Sequence, residues 1–106
     1  MTANITTDLP QPAAEEDVRI LATGETSRIE RIVSHGHASP EGFWYEQEMA
    51  EWVMVVSGSA GLQFEDEAEP RVLKAGDYVD IPAHRRHRLA WTDAKVPTVR
   101  LVVHYR

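Results

Sequence analysis

The sequence predicts an all-β fold, a small antiparallel barrel or sandwich, and three observations carry that prediction. Beyond residue 16 the apolar residues fall in many short runs rich in Val, Ile, Trp, Tyr and Phe, side chains that suit a pleated, half-buried surface. No run keeps a 3.6-residue period for three turns, so helices have little support. Turn-forming residues separate the runs at Gly24, Gly36, Gly42, Ser57-Gly58-Ser59 and Ala75-Gly76-Asp77, where a chain that reverses often needs glycine.

In chain order the predicted strands are Val18–Leu21, Ile29–Val33, Phe43–Gln47, Glu51–Ser57, Leu62–Glu65, Arg71–Leu73, Tyr78–Ile81, Arg88–Trp91 and Thr98–Tyr105. Glu46–Met54 has helical propensity, but the following Val-Met-Val-Val-Ser-Gly reads as strand. Residues 1–16 hold two prolines with several Thr and Ala and show no periodic pattern, and they read as a mobile or loosely docked arm. Residues 17–106 then form one domain. A chain of 106 residues, 42% of them hydrophobic, suffices for one core and is too short for two. Strands at this spacing assemble as an antiparallel sandwich or barrel.

Charge and composition restrict the partners. A net charge of −6 disfavours nucleic acid and anionic membranes, which both call for a basic face. Arg85, Arg86 and Arg88 are the one basic cluster. They read chiefly as a solvated edge balancing the acidic run Glu65–Glu69, and secondarily as a carboxylate or phosphate clamp. Cysteine is absent, so disulfides, thiolate nucleophiles and cysteine-held zinc are excluded, and a metal would need His, Glu, Asp, Gln or Tyr. The first residues lack the basic start and apolar stretch of a secretion signal, and no segment reaches the apolar length of a membrane span. A cytoplasmic protein is the expectation.

Two stretches carry a more specific pattern. Glu51 is followed after six residues by Gly58 in EWVMVVSG. Gly76 is followed after five residues by Pro82, then His84, and after two more by His87, in GDYVDIPAHRRH. From Tyr45 to Trp91, about half of the chain, the sequence resembles the cupin superfamily. Its first motif places His-x-His before a Glu and a Gly, and its second runs Gly, Pro-x-Gly, His, Asn. The resemblance implies a double-stranded β-helix of jelly-roll type, similar to small bacterial single-domain members. Tyr45 and Gln47 occupy the two first-motif histidine positions, His84 the glycine of Pro-x-Gly, and Trp91 the final Asn position. It also implies that the metal positions here are Gln47, Glu51 and His87.

The residues themselves point to the same group. On a strand alternate side chains share a face, which puts Phe43, Tyr45 and Gln47 together and His87, Leu89 and Trp91 together. If those faces line the barrel, Tyr45, Gln47, Glu51 and His87 meet, with Phe43 and Trp91 among the walls of a small-ligand pocket. His87 is the first candidate for ligand or general base; an exposed, inert strand histidine is its alternative. Glu51 is either a carboxylate inside the barrel, needing a metal or hydrogen-bond partner, or a solvated residue before the strand. Gln47 is a weak neutral oxygen donor, Tyr45 an acid, ligand or barrel-lining aromatic, and His84 a surface turn residue. His35-Gly36-His37 with Glu41 offers a competing frame, but Glu48 stands where that frame needs glycine; either histidine could still reach the pocket.

Two functional readings follow, beside a third in which the barrel fills itself and serves structure or interaction. In the first, His87 and Glu51, helped by Gln47 and by Tyr45 or a histidine from 35–37, hold a divalent transition metal (Zn, Fe, Ni or Mn) for isomerase, lyase or oxygenase chemistry. In the second, the pocket binds a small ligand without metal, for which the missing first-motif histidines speak. Trp44, Trp52 and Tyr105 offer apolar material for a homodimer.

Overall fold

Alternating side chains on eight antiparallel strands build two facing sheets in the computed structural model, which describes residues 2–106. The strands are β1 (Asp17–Thr23), β2 (Ser27–Ser34), β3 (Ala50–Ser57), β4 (Ser59–Phe64), β5 (Arg71–Lys74), β6 (Tyr78–Ile81), β7 (His87–Thr92) and β8 (Thr98–Tyr105). One sheet has the order β1-β2-β8-β3-β6 and the other β5-β4-β7. Among the described residues no helix is long and apolar enough to cross a membrane.

One predicted strand is replaced by something smaller. Phe43–Gln47 forms no strand; Tyr45 makes a single antiparallel bridge to His87, its N–H donating to the His87 carbonyl at 2.7 Å and its carbonyl accepting from the His87 N–H at 3.1 Å. The His84 N–H donates to the Gln47 carbonyl at 2.7 Å, so the segment still lies against the entry to β7. Aromatic and β-branched content signals strand, but a ladder also needs a continuous partner.

The core forms where both inner faces are apolar. Val53, Val55, Val79, Ile81 and Val102 of the larger sheet pack against Ala60, Leu62, Phe64, Leu73 and Leu89 of the smaller. Phe64 is fully buried there. The outer face of the larger sheet also buries Arg31, Val33 and Val99. The N-terminal segment, read from sequence as a mobile or loosely docked arm, is tied to this sheet. The Thr7 carbonyl accepts from Arg31 Nη1 at 2.9 Å, the Ala13 carbonyl lies 2.8 Å from His37 Nε2, and Glu16 takes hydrogen bonds from Ser34 Oγ and, at 2.6 Å, Arg100 Nη2.

Gly58 makes the tight reversal from β3 to β4 at φ +84°, and a Cβ there would lie 2.7 Å from the Pro97 carbonyl oxygen and from the Thr98 Cα. Both the left-handed backbone and the contacting backbone exclude a larger residue. Gly58→Ala is therefore expected to lower stability by about 1–3 kcal/mol, read as a lower denaturant midpoint; an unchanged midpoint would refute this account of the turn.

Candidate functional site

Strand register assembles one polar row across the larger sheet. Arg28 of β2 pairs with His104 of β8, and His104 pairs with Glu51 of β3. All three line a cavity of about 300 Å³ between the sheets. From the opposite sheet His87, the first residue of β7, points into the same space. Beyond this polar end the wall is apolar, with Ile32, Val53, Ala60, Leu62, Leu73 and Leu89.

At the centre stands Glu51, its side chain 12% exposed. His87 Nε2 and His104 Nδ1 each lie 3.9 Å from its Oε1, too far for a hydrogen bond. Each imidazole is anchored through its other nitrogen. His87 Nδ1 is 3.0 Å from the Arg85 carbonyl, an acceptor only, so Nδ1–H donates and in the neutral ring Nε2 carries the lone pair. His104 Nε2 is 3.1 Å from Glu30 Oε1, so Nε2–H donates and in the neutral ring Nδ1 carries the lone pair. Glu30 is in turn held by Arg28 Nε at 2.8 Å. These two nitrogens, His87 Nε2 and His104 Nδ1, face the same carboxylate oxygen.

Of the residues named from sequence, Tyr45, Gln47, Glu51 and His87 all line the cavity. Tyr45 stacks on His87 with centroids 6.0 Å apart and stays 40% exposed at the mouth. Phe43 and Trp91 do not line it. Phe43 is 46% exposed and meets Tyr45 edge-on at 4.7 Å; without a strand, alternation carries no meaning there. Trp91 is displaced by a bulge. Leu62 pairs with Leu89 but Gly61 with Trp91, so one extra residue on β7 reverses the facing after Leu89. The indole packs instead over Gly61, where a Cβ would lie 2.2 Å from its Nε1.

His35 and His37 do not line the cavity either; His37 Nδ1 accepts from the His35 N–H at 2.9 Å and its Nε2 meets the Ala13 carbonyl. His84 is a turn residue with φ +66°, the conformation that explains the family's glycine at this point. Sequence reasoning missed His104 and Glu30. The available signal was Arg100, Val102 and His104 alternating along one predicted strand, which places a histidine on the face of a core valine.

The basic cluster is engaged at the surface. Arg85 lies 3.4 Å from both Asp66 and Glu67, and Arg86 lies 3.1 Å from Glu65. The Arg85 guanidinium also covers the Phe64 ring at 3.6 Å, closing the core from solvent.

Two antiparallel sheets of this order, with a site between them, define a double-stranded β-helix. The sequence matches the family model described as "Cupin domain" over residues 41–104, more than half of its length, and the protein belongs to the cupin family. It is similar over 99% of its length, and 97% of the other chain, to a proposed mannose-6-phosphate isomerase of Ralstonia eutropha JMP134, at 50% identity and TM-score 0.96. An RmlC-like cupin family protein of Methanocaldococcus jannaschii with a double-stranded β-helix fold superposes with TM-score 0.69 at 22% identity, over 92% and 86% of the two chains. A protein of Thermus thermophilus does so with TM-score 0.81 at 15% identity, over 98% and 95%. No curated protein matches the sequence.

Cupins often hold a divalent metal. Among the described residues no three His, Asp or Glu side chains stand gathered around one ion-holding point. The donor chemistry fits such an ion, since His87 Nε2, the Glu51 carboxylate and the Gln47 amide all line the cavity.

Outside the cavity, Glu67 accepts from Arg71 Nε at 3.0 Å and Nη2 at 2.6 Å. The Arg71 hydrogen bonds are the main cause holding the Glu67 carboxyl below its ordinary value of 4.5. A lowered folded pKa gives stability that is present above the ordinary value and is lost as pH falls through the folded one. Wild type is expected to be more stable than Arg71→Gln at about pH 7, with the difference shrinking by about pH 3. Thermal melts at both pH values check this; a constant difference would show that the pair acts through packing alone.

Proposed function

We propose that the protein is a small-molecule isomerase that moves protons within a polyhydroxylated carbonyl compound held in the barrel cavity. The observation that carries this reading is the nearly buried Glu51 carboxylate, facing His87 Nε2 with no bond between them. It stands at the polar end of a cavity sized for a small sugar. A carboxylate without a hydrogen-bonded partner keeps its lone pairs free to accept a proton from substrate. Glu51 takes the proton from the hydroxyl-bearing carbon beside the carbonyl and returns it to the former carbonyl carbon. His87 Nε2 takes the hydroxyl proton and delivers it to the former carbonyl oxygen. The atoms balance without a co-reactant. Gln47 and Tyr45, at the mouth, orient the remaining hydroxyls, and the leucines and valines behind exclude water. A divalent transition metal held by His87, Glu51 and Gln47 would take up the His87 Nε2 lone pair and supply Lewis-acid polarisation of the substrate oxygens in place of that proton relay.

The name given to the Ralstonia eutropha relative supports the reaction class. The charges lining this cavity argue against carrying over the phosphate. Arg28 and Arg100 line it, but Arg28 is paired with Glu30 at 2.8 Å and Arg100 with Glu16 at 2.6 Å, so neither is a ready phosphate clamp. Tyr45 and Gln47 at the two first-motif histidine positions favour a second reading, a metal-free binding module.

The test is incubation in D₂O with mannose, fructose and mannose 6-phosphate, on protein as purified and after chelation, followed by mass spectrometry. Carbon-bound deuterium is expected in the neutral sugars, with uptake reduced about 100-fold or more in Glu51→Gln and His87→Ala. Saturable sugar binding without deuterium uptake, undiminished by chelation, supports the binding module; preferential labelling of mannose 6-phosphate overturns the neutral-substrate reading.

We further propose that two copies pair through the outer face of the larger sheet. Trp52 and Tyr78 stack there at 5.4 Å between centroids, with Tyr78 64% exposed, an apolar patch of the kind interfaces use. Light scattering at micromolar concentration is expected to give the mass of two 12.0 kDa chains, and one chain in Trp52→Lys. A single-chain mass for wild type would count against pairing.

A further inference from the structure

We infer that His104, on the last strand, supplies the imidazole ligand that the first motif lacks and completes a two-histidine, one-carboxylate site for a divalent transition metal with His87 and Glu51, Glu30 acting as the positioning residue behind it. The inference builds on the reading of this cavity as the working site, and extends it to a residue outside both motifs.

Register is the first support. His104 pairs directly with Glu51 across β8 and β3, so the backbone fixes two donors side by side, and β7 brings the third from the facing sheet. The second is tautomer. A histidine that binds a metal usually donates its other ring N–H to a carboxylate or a backbone carbonyl, which orients the ring and raises its basicity. Both imidazoles do this, His87 to the Arg85 carbonyl and His104 to Glu30, and Arg28 holds Glu30 from behind. The two remaining nitrogens look toward one oxygen of Glu51 from 3.9 Å.

The third support is charge. Of the acidic groups lining the cavity, Glu16 and Glu30 are matched by Arg100 and Arg28 at hydrogen-bond distance. Among the described residues, the ion-pair partners of Glu51 are the two imidazoles at 3.9 Å. While the rings are neutral they leave this nearly buried carboxylate uncompensated, and a cation between the three groups compensates it. The donors are of the two types that divalent iron, nickel, zinc and cobalt accept together. Separations of 3.9 Å exceed the roughly 3.4 Å between ligands about 2.1 Å from a tetrahedral ion, so the three side chains have to draw together on binding, with the β3 and β8 backbones already held by their pairing.

Cobalt(II) is the probe. Wild type, His104→Gln, His87→Gln, Glu30→Gln and the outside control His37→Gln are stripped with chelator, dialysed and titrated with Co²⁺. Elemental analysis gives the stoichiometry, the visible ligand-field absorption reports binding, and thermal melting reports folding. One cobalt per chain is expected in wild type and in His37→Gln. Affinity should fall more than about tenfold in His104→Gln and in His87→Gln, and about tenfold to a hundredfold in Glu30→Gln. Wild type that takes up no stoichiometric cobalt, or a folded His104→Gln that binds as tightly as wild type, overturns the inference. Should His104→Gln fail to fold, proton NMR of the cobalt-loaded wild type decides. Two strongly shifted, solvent-exchangeable ring N–H signals are expected, one from each histidine; a single signal excludes His104. A site confirmed in this way without deuterium uptake into sugars would sink the proposed reaction while leaving the metal assignment intact.

Discussion

The position of β8 between β2 and β3 is the constraint on which the rest of this site depends. An antiparallel strand paired on both sides has its facing set twice, and the pairings Arg28 to His104 and His104 to Glu51 place three polar side chains in one line across the sheet. A slip of one residue would send His104 to the outer face and Tyr105 into the cavity. The flanking pairs hold the register, since Val102 sits between Glu30 and Val53 and is fully buried in the core. Apolar packing at one end of the barrel thereby fixes the chemistry at the other.

Electrostatics explain why this polar row is tolerated beside a core. Polar groups run from Arg28 to Glu30 to His104 and on toward Glu51, so each buried group has a complementary neighbour. Glu51 is the least compensated member, with no partner inside hydrogen-bond distance from either imidazole. A nearly buried carboxylate in that condition calls for a cation or a donor from a bound ligand, and either occupant suits a reaction centre.

The outer layer bears on the cavity through Glu16. This residue precedes β1, accepts from Ser34 and Arg100, and itself lines the cavity. The N-terminal segment thus completes the wall around Arg100, while its Thr7 carbonyl takes one hydrogen bond from the buried Arg31, whose Nε and Nη2 have no hydrogen-bond partner among the described residues. Docking this segment serves the site as well as the sheet.

Composition and local pattern determined the all-β class and eight of the nine predicted strands, and brought Glu51 and His87 forward as candidates for the barrel interior, because alternation, turn glycines and motif spacing are properties of neighbouring residues. The His84 turn, too, was readable from its place in Pro-x-Gly. Tertiary structure alone decided three matters. The bulge opposite Gly61 turned Trp91 outward, since an extra residue changes facing without leaving a mark in residue type. The Tyr45 segment became a single bridge because its only strand partner was the start of β7. His104 reached Glu51, and Glu30 reached His104, through pairings between strands far apart along the chain, with His104 and Glu30 74 positions apart. Contacts at that separation are set by which strands neighbour one another in the sheet, which no local pattern encodes.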